Sequence, residues 1–164
     1  VHKPEKMLAP YVRPGMTVLD VGCGMGFFSL GMARLVRPTG RVIAVELQPQ
    51  MLNVLRRRAT RAGLLDLIEM RVCKSDRIGL DDMVGRIDFA LAFWVVHEVP
   101  DPALFLDEVH GLLRAKSRLF FAEPKSHVSA QEFHRSLALA EEASFTVIDR
   151  PGIRFSRAAV LEKV

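Results

Sequence analysis

Val18-Leu19-Asp20-Val21-Gly22-Cys23-Gly24-Met25-Gly26, followed at once by Phe27-Phe28-Ser29-Leu30, decides the fold. An apolar, β-branched run ends in a turn that carries three glycines, and residues at helical spacing begin directly behind it. Strand, glycine turn and helix make the opening unit of an α/β sheet, whose ligands sit beyond the carboxyl ends of the strands. Glycine lets the backbone turn tightly there and come close to a ligand. By itself such a turn is also an ordinary strand-to-helix connection.

The alternation continues along the chain. Thr17 to Val21 reads as a strand and Phe27 to Val36 as a helix. Arg41 to Val45 is a second strand. Pro49 to Ala62 is a helix with Pro49 in its first turn, a stripe of Met51, Leu52, Leu55 and Ala59, and Gly63 at its end. Leu67 to Val72 and Ile87 to Phe93 are further strands. Asp101-Pro102 opens a helix through Phe105, Leu106, Val109, Leu112 and Leu113, and Arg118 to Ala122 is a fifth strand. Ser129 and Glu132 have capping-box spacing before Phe133, Leu137 and Ala140. Phe145 to Ile148 and Ala158 to Leu161 follow with no helix between them. Continuous apolar strands alternating with helices predict a mostly parallel, doubly wound α/β sheet covered on both faces. The last two of its seven strands form a C-terminal antiparallel hairpin.

Length and composition agree. The 164 residues suit one domain, 1–164. Apolar residues are 49% and charged residues 26%, which excludes a disordered, collagenous or disulfide-built chain. The longest apolar run, Phe89 to Val96, falls well short of the roughly 20 residues that a membrane helix needs. No charged-then-apolar leader is visible, although the chain opens on Val1 rather than Met. The net charge of +4 is mild, and Arg56-Arg57-Arg58 with Arg61 reads as a solvated helix face, which argues against a nucleic-acid partner. Cys23 and Cys73 match no metal spacing, so no metal is expected, and reduced thiols point to the cytoplasm.

Two acids sharpen the reading of the glycine turn. Asp20 lies two residues before Gly22, and Glu46 ends the second strand. An acid at the end of that strand can accept both hydroxyls of a ribose. The dinucleotide fingerprint G-x-G-x-x-G would require glycine at position 27, which is Phe27. A pyrophosphate would be repelled by Asp20, whereas an ammonium would be drawn to it. A ribose joined to a cationic amino acid, without phosphate, describes S-adenosylmethionine.

Val18 to Gly26 resembles the first motif of the class I S-adenosylmethionine-dependent methyltransferases, and Val42-Ile43-Ala44-Val45-Glu46 resembles their second. Asp88 to Phe93, then Val96-His97-Glu98-Val99, is similar to their fourth-strand motif, and Leu106 to Phe121 to the helix and strand that follow. The likeness covers nearly the whole chain and is nearest to the small-molecule branch that includes ubiquinone and menaquinone biosynthesis enzymes. It implies a Rossmann-like fold and a small-molecule methyl acceptor whose accepting atom (O, C or N) is open. The alternatives are a methyltransferase of rRNA or protein docking through basic residues, and a non-catalytic binding module.

By the same resemblance, Asp20, Gly22, Cys23, Gly24 and Gly26 hold the methionine moiety. Glu46 accepts from the ribose, Leu47 packs on adenine, and Ala92 and Phe93 offer backbone groups to the amino-acid end. The family usually has an acid after the third strand. Here Lys74 stands there and cannot accept a hydrogen bond, so Ser75 or Asp76 is expected to serve the adenine amine. Arg114-Ala115-Lys116-Ser117 replaces the usual Pro-Gly-Gly turn, at the edge away from the cofactor. His97 and Glu123 are the candidate catalytic groups, each weighed against a structural role. Motifs of base-amino, cytosine-C5, arsenic and protein-arginine methylation are absent. The few residues before the first strand and the short stretch Pro124 to Ala130 predict an open pocket, or one completed by a homo-oligomer partner or by further N-terminal residues.

Overall fold

The computed structural model describes residues 3–164. β1 (Thr17–Val21), β2 (Arg41–Glu46), β3 (Ile68–Val72), β4 (Ile87–Phe93) and β5 (Leu113–Pro124) run parallel to one another. β7 (Ser156–Lys163) pairs antiparallel with both β5 and β6 (Phe145–Asp149). The sheet order is β3-β2-β1-β4-β5-β7-β6. The chain therefore leaves β1 first toward β3 and later toward β6, and strand order reverses between β1 and β4. In such sheets that reversal is where a ligand crevice forms.

Both faces of the sheet are covered, as the unbroken apolar strands require. α1 (Pro4–Leu8), α2 (Phe27–Val36) and α3 (Pro49–Ala62) place Leu8, Leu30 and Leu55 against Val18, Phe89 and Phe120. On the other face, α4 (Pro102–Leu112) and α5 (Ala130–Glu142) pack Leu106, Val109 and Phe133 against Leu19, Ile43 and Phe121. Each fully buried leucine of this kind contributes about 1.5–3 kcal/mol of transfer free energy. Helix ends follow their sequence signals. The Asp101 carboxylate accepts from Leu104 N at 3.0 Å, and Ser129 and Glu132 form the capping box at both of its bonds. Gly63 closes α3 with φ of +67°.

Three features depart from expectation. First, α1 precedes β1, and Pro4 packs where a Cβ on Gly31 of α2 would sit. Its five residues are too few for an apolar period to be read. Second, β5 starts at Leu113, directly after α4, rather than at Arg118. Leu113 pairs with Ile87 and Arg118 with Phe89, so Arg114–Ser117 loops out of register. Lys116 takes the left-handed φ of +64°, where glycine is usual, and Arg114 Nε meets Asp88 Oδ1 at 3.0 Å. This turn lies at the amino end of β4, away from the ligand crevice, as expected. Third, a 3₁₀ turn, Val96–Glu98, stands between β4 and α4 and carries His97. No helix among the described residues is long and apolar enough to cross a membrane.

Candidate cofactor and active site

The crevice at the strand reversal is built by close approach of backbone. Gly22, at φ +69°, leaves room for Val95, whose Cγ2 would lie 2.6 Å from a Cβ on residue 22. Gly26 caps α2 at φ +83°, and Leu55 of α3 sits where its Cβ would be. Between them Gly24, at φ +53°, has open space on its Cβ side. Gly22 N and Cys23 N both donate to Val45 O, at 2.9 and 3.0 Å, which ties the turn to the end of β2.

Glu46 secures the same turn with its side chain. Oε2 accepts from Gly24 N at 2.9 Å and Oε1 from Gln48 N at 3.0 Å. Each oxygen has a second acceptor site, which leaves capacity for a pair of hydroxyls. Asp20 is 3% exposed and accepts from the Ser29 hydroxyl at 2.5 Å. Its carboxyl is pushed up to about 7: burial is the main cause, the Ser29 hydrogen bond opposes it and the nearby Glu46 charge supports it. Cys23 is buried, and its thiol is pushed well above the usual range by burial, then by Asp20 and Glu46. Cys73 shifts the same way, by burial first. At both, the surroundings disfavour the thiolate, which is the reactive form.

The cleft runs from Gly22 and Glu46 across Leu47 to the ends of β3 and β4. Ser75 and Asp76 form the tip of a tight turn, because Lys74 N donates to Arg77 O at 3.1 Å and Arg77 N to Lys74 O at 3.4 Å. Leu47, half exposed, faces them across the cleft. Trp94, Val95 and Val99 form the wall from β4. Ala92 is fully buried in the core, and half-buried Phe93 packs on Phe28 with ring centroids 4.5 Å apart, so their side chains belong to the scaffold behind the cleft.

His97 and Glu123, read separately from the sequence, are one unit. Glu123, at the end of β5, is 1% exposed. Its carboxylate accepts from Val96 N at 3.2 Å, His97 N at 3.0 Å and His97 Nδ1 at 2.8 Å. Burial pushes Glu123 upward, and the His97 charge and hydrogen bonds hold it back. With Nδ1 donating to Glu123, Nε2 is the imidazole's acceptor, and Glu98 Oε1 lies 3.9 Å from it. The His127 ring stacks on His97 at 5.8 Å.

Sequence reasoning missed several groups. Ser29 lies nine positions beyond Asp20, and Glu108 lines the cleft while accepting from Ile78 N at 2.7 Å, 30 positions away. Such long-range partners have no spacing signature. Arg58 was taken as part of a solvated face, yet its Nη1 donates to Met25 O in the glycine turn at 2.8 Å.

The donor set fits S-adenosylmethionine. Glu46, Asp76, Glu98, Asp101 and Glu108 line the cleft against two cations, Lys74 and Arg77. That balance suits a ligand with a ribose and positive charge and opposes a pyrophosphate. Fold and site together define a Rossmann-like S-adenosylmethionine-binding protein. Residues 13–149 match the methyltransferase domain family, and the chain belongs to that family. It is similar to a SAM-dependent methyltransferase from Aquifex aeolicus of known structure, with a TM-score of 0.86 and 25% identity over 99% of this chain and 90% of that one. Demethylmenaquinone methyltransferase of Symbiobacterium thermophilum is 31% identical over 119 residues, 73% of this chain and 47% of that protein. Ribosomal protein L11 methyltransferase of Pelotomaculum thermopropionicum is 34% identical over 108 residues, 66% of this chain and 32% of that protein. The chain spans about a third to a half of the length of the curated relatives it matches.

Proposed function

We propose that the protein transfers the methyl group of S-adenosylmethionine to a small-molecule acceptor. The observation that carries this reading is the carboxylate-lined cleft closed by Glu46 and Gly24 at the reversal point of the sheet. The bound cofactor supplies an electrophilic methyl on a sulfonium, a good leaving group. The chain's own residues align the acceptor and exclude water, which accounts for much of such a rate enhancement. Asp20, with the glycine turn, holds the amino-acid end, and Glu46 and Leu47 hold the ribose and adenine. His97 takes the acceptor's proton on Nε2, and Glu123 fixes the imidazole so that this nitrogen is the base. Bound there, the cofactor would give its methyl carbon to the acceptor atom and keep the electron pair of the broken carbon–sulfur bond on sulfur. We take the reaction to be cytoplasmic, in keeping with the free thiols Cys23 and Cys73.

The relatives pull two ways, toward a quinone precursor and toward a ribosomal protein. The mild net charge of +4 favours the small molecule. The test is incubation with methyl-labelled S-adenosylmethionine and cell extract. Label is expected in the small-molecule fraction, and Glu46→Ala should abolish most of it at limiting cofactor. Label in protein or RNA would overturn the acceptor class, and no transfer at all would overturn the activity.

A further inference from the structure

Along the carboxyl edge of the sheet the charge changes sign. The acids of the cofactor cleft end or follow β2, β3 and β4, or stand on α4. Past β5 the same edge is built from residues 124–129 and 150–157, which carry Lys125, His127, Arg150, Arg154 and Arg157 and no acid. The β5–β7 pair brings the two segments together, with Pro124 opposite Ser156 and Lys125 N donating to Phe155 O at 2.9 Å. Ser156 also ties this region to the cofactor cleft, because its Oγ accepts from the indole N–H of Trp94, a cleft residue, at 2.9 Å.

Of these five side chains only Arg157 is half-buried, and the rest are exposed. Glu123 stands opposite Arg157 across the strand pair. Residues so placed share one face of the sheet, with Cβ atoms about 5 Å apart. Yet Glu123 is engaged from its other side, by Val96 N, His97 N and His97 Nδ1 of the turn after β4. Arg157 Nε is buried with no hydrogen-bond partner, and no carboxylate among the described residues pairs with the guanidinium. A sheltered cation with an unmatched donor costs free energy that a bound anion can return. His97 and Arg157 thus flank one carboxylate, from β4 and from β7, and the His127 ring stacks on His97 at 5.8 Å.

On the reading of the protein as a small-molecule methyltransferase, we propose that Arg157 binds a carboxylate of the methyl acceptor, so that the acceptor is an organic acid held by this handle beside His97. The guanidinium fork matches a carboxylate with two parallel N–H bonds, and Arg157 has the unpaired Nε for one of them. One negative charge balances the one unmatched cation. The second charge of a phosphate monoester would meet the repulsion of Glu123, one strand away. The carboxylate is the handle and not the nucleophile. His97 takes its proton from a different atom of the acceptor, and the methylated product keeps its free carboxylate.

The full chain is incubated with methyl-labelled S-adenosylmethionine and the small-molecule fraction of a cell extract, and the labelled product is identified by mass spectrometry. It is expected to carry a free carboxylate. Arg157→Met should form that product at least about tenfold more slowly at limiting extract, as the loss of a charged hydrogen bond implies. Arg157→Lys keeps the charge without the fork and should recover part of the rate. The Kd of S-adenosylhomocysteine by calorimetry should stay within about twofold in both variants. Arg157→Met should melt no lower than the parent chain, because the donor it removes has no partner to lose. A labelled product that is a methyl ester without another carboxylate, or that carries a phosphate or no anion, would overturn the proposal while leaving the methyltransferase reading intact. So would transfer by Arg157→Met within about twofold of the parent, or a loss of melting temperature and S-adenosylhomocysteine affinity in step, which would make Arg157 structural. A parent chain that binds no S-adenosylhomocysteine and labels nothing takes down the methyltransferase reading itself, and this one with it.

Discussion

On the proposed reading, the buried carboxyl of Asp20 links cofactor binding to pH. This carboxyl is pushed up to about 7, by burial first and by the Glu46 charge as well, against the Ser29 hydrogen bond. The unfolded chain would lose this proton near pH 4. Between roughly pH 4 and 7 the folded state therefore holds a proton that the unfolded state lacks, and stability falls as pH rises through that window. A cationic ligand reverses the preference, since it favours the ionised carboxylate. Below pH 7 the proton must leave before the ammonium is paired, so affinity should weaken by up to about tenfold per pH unit. We expect the Kd of S-adenosylmethionine, measured by calorimetry, to rise steeply from pH 7 to pH 6 and to be flat from 7.5 to 8.5. Asp20→Asn should bind weakly with little slope, and an unchanged slope in that variant would assign the titration to another group. Asp20 and Glu46 are legible in the sequence because a strand's carboxyl end fixes where its last acid points. Ser29 is not, because its pairing with Asp20 depends on how α2 turns after Gly26.

The turn from Gly22 to Gly26 is held in shape by its neighbouring helix as much as by its glycines. α3 presses Leu55 beneath Gly26 and reaches over with Arg58 to the Met25 carbonyl, while Gln48, just before α3, anchors Glu46. Loop and helix thus form a closed circuit through Glu46 and Gly24. Removing Arg58 should loosen the turn without disturbing the core, because the side chain meets the loop at the surface. A hydrogen bond of this kind contributes about 1 kcal/mol net, so Arg58→Ala should raise the Kd of S-adenosylhomocysteine about fivefold. Its apo melting temperature should hold nearly steady, and Arg57→Ala, which points to solvent, should leave both quantities unchanged. Equal loss in the two variants would mean that net positive charge, and not the latch, governs affinity. Composition shows four arginines on one helix. Which of them turns inward is set by the rotation of α3 over the loop, which the spacing of Leu52, Leu55 and Ala59 constrains but does not reveal for polar neighbours. The same limit applies to β5, whose looped-out Arg114–Ser117 needs the register of β4 to be seen.

The strand order itself assembles the proposed base. His97 and Glu123 are 26 positions apart and meet because β4 and β5 are adjacent and end at the same edge, with α4 folded back behind them. The alternation of strands and helices made that edge legible, and with it both residues as candidates. Their union was not, since it depends on the Val96–Glu98 turn bending His97 back over the end of β5. Glu123 accepts two backbone N–H groups of that turn besides the imidazole, so it anchors the cleft wall and orients the base together. The two duties separate by substitution. His97→Ala keeps the backbone bonds to Glu123 and should lower turnover by about 10²-fold or more, with the Kd of S-adenosylhomocysteine little changed. Added imidazole should recover part of that rate, which no purely structural role would allow. Glu123→Gln retains one carbonyl acceptor, for His97 N and Nδ1, but turns an amide NH2 toward Val96 N and loses the charge that steadies the protonated ring. Its kcat should fall while the cofactor Kd holds, whereas Glu123→Ala, which strands three buried donors, should also lower the melting temperature. If His97→Ala turns over within a few-fold of the parent chain and ignores imidazole, the pair is a brace for the cleft wall, and methyl transfer here proceeds by alignment alone.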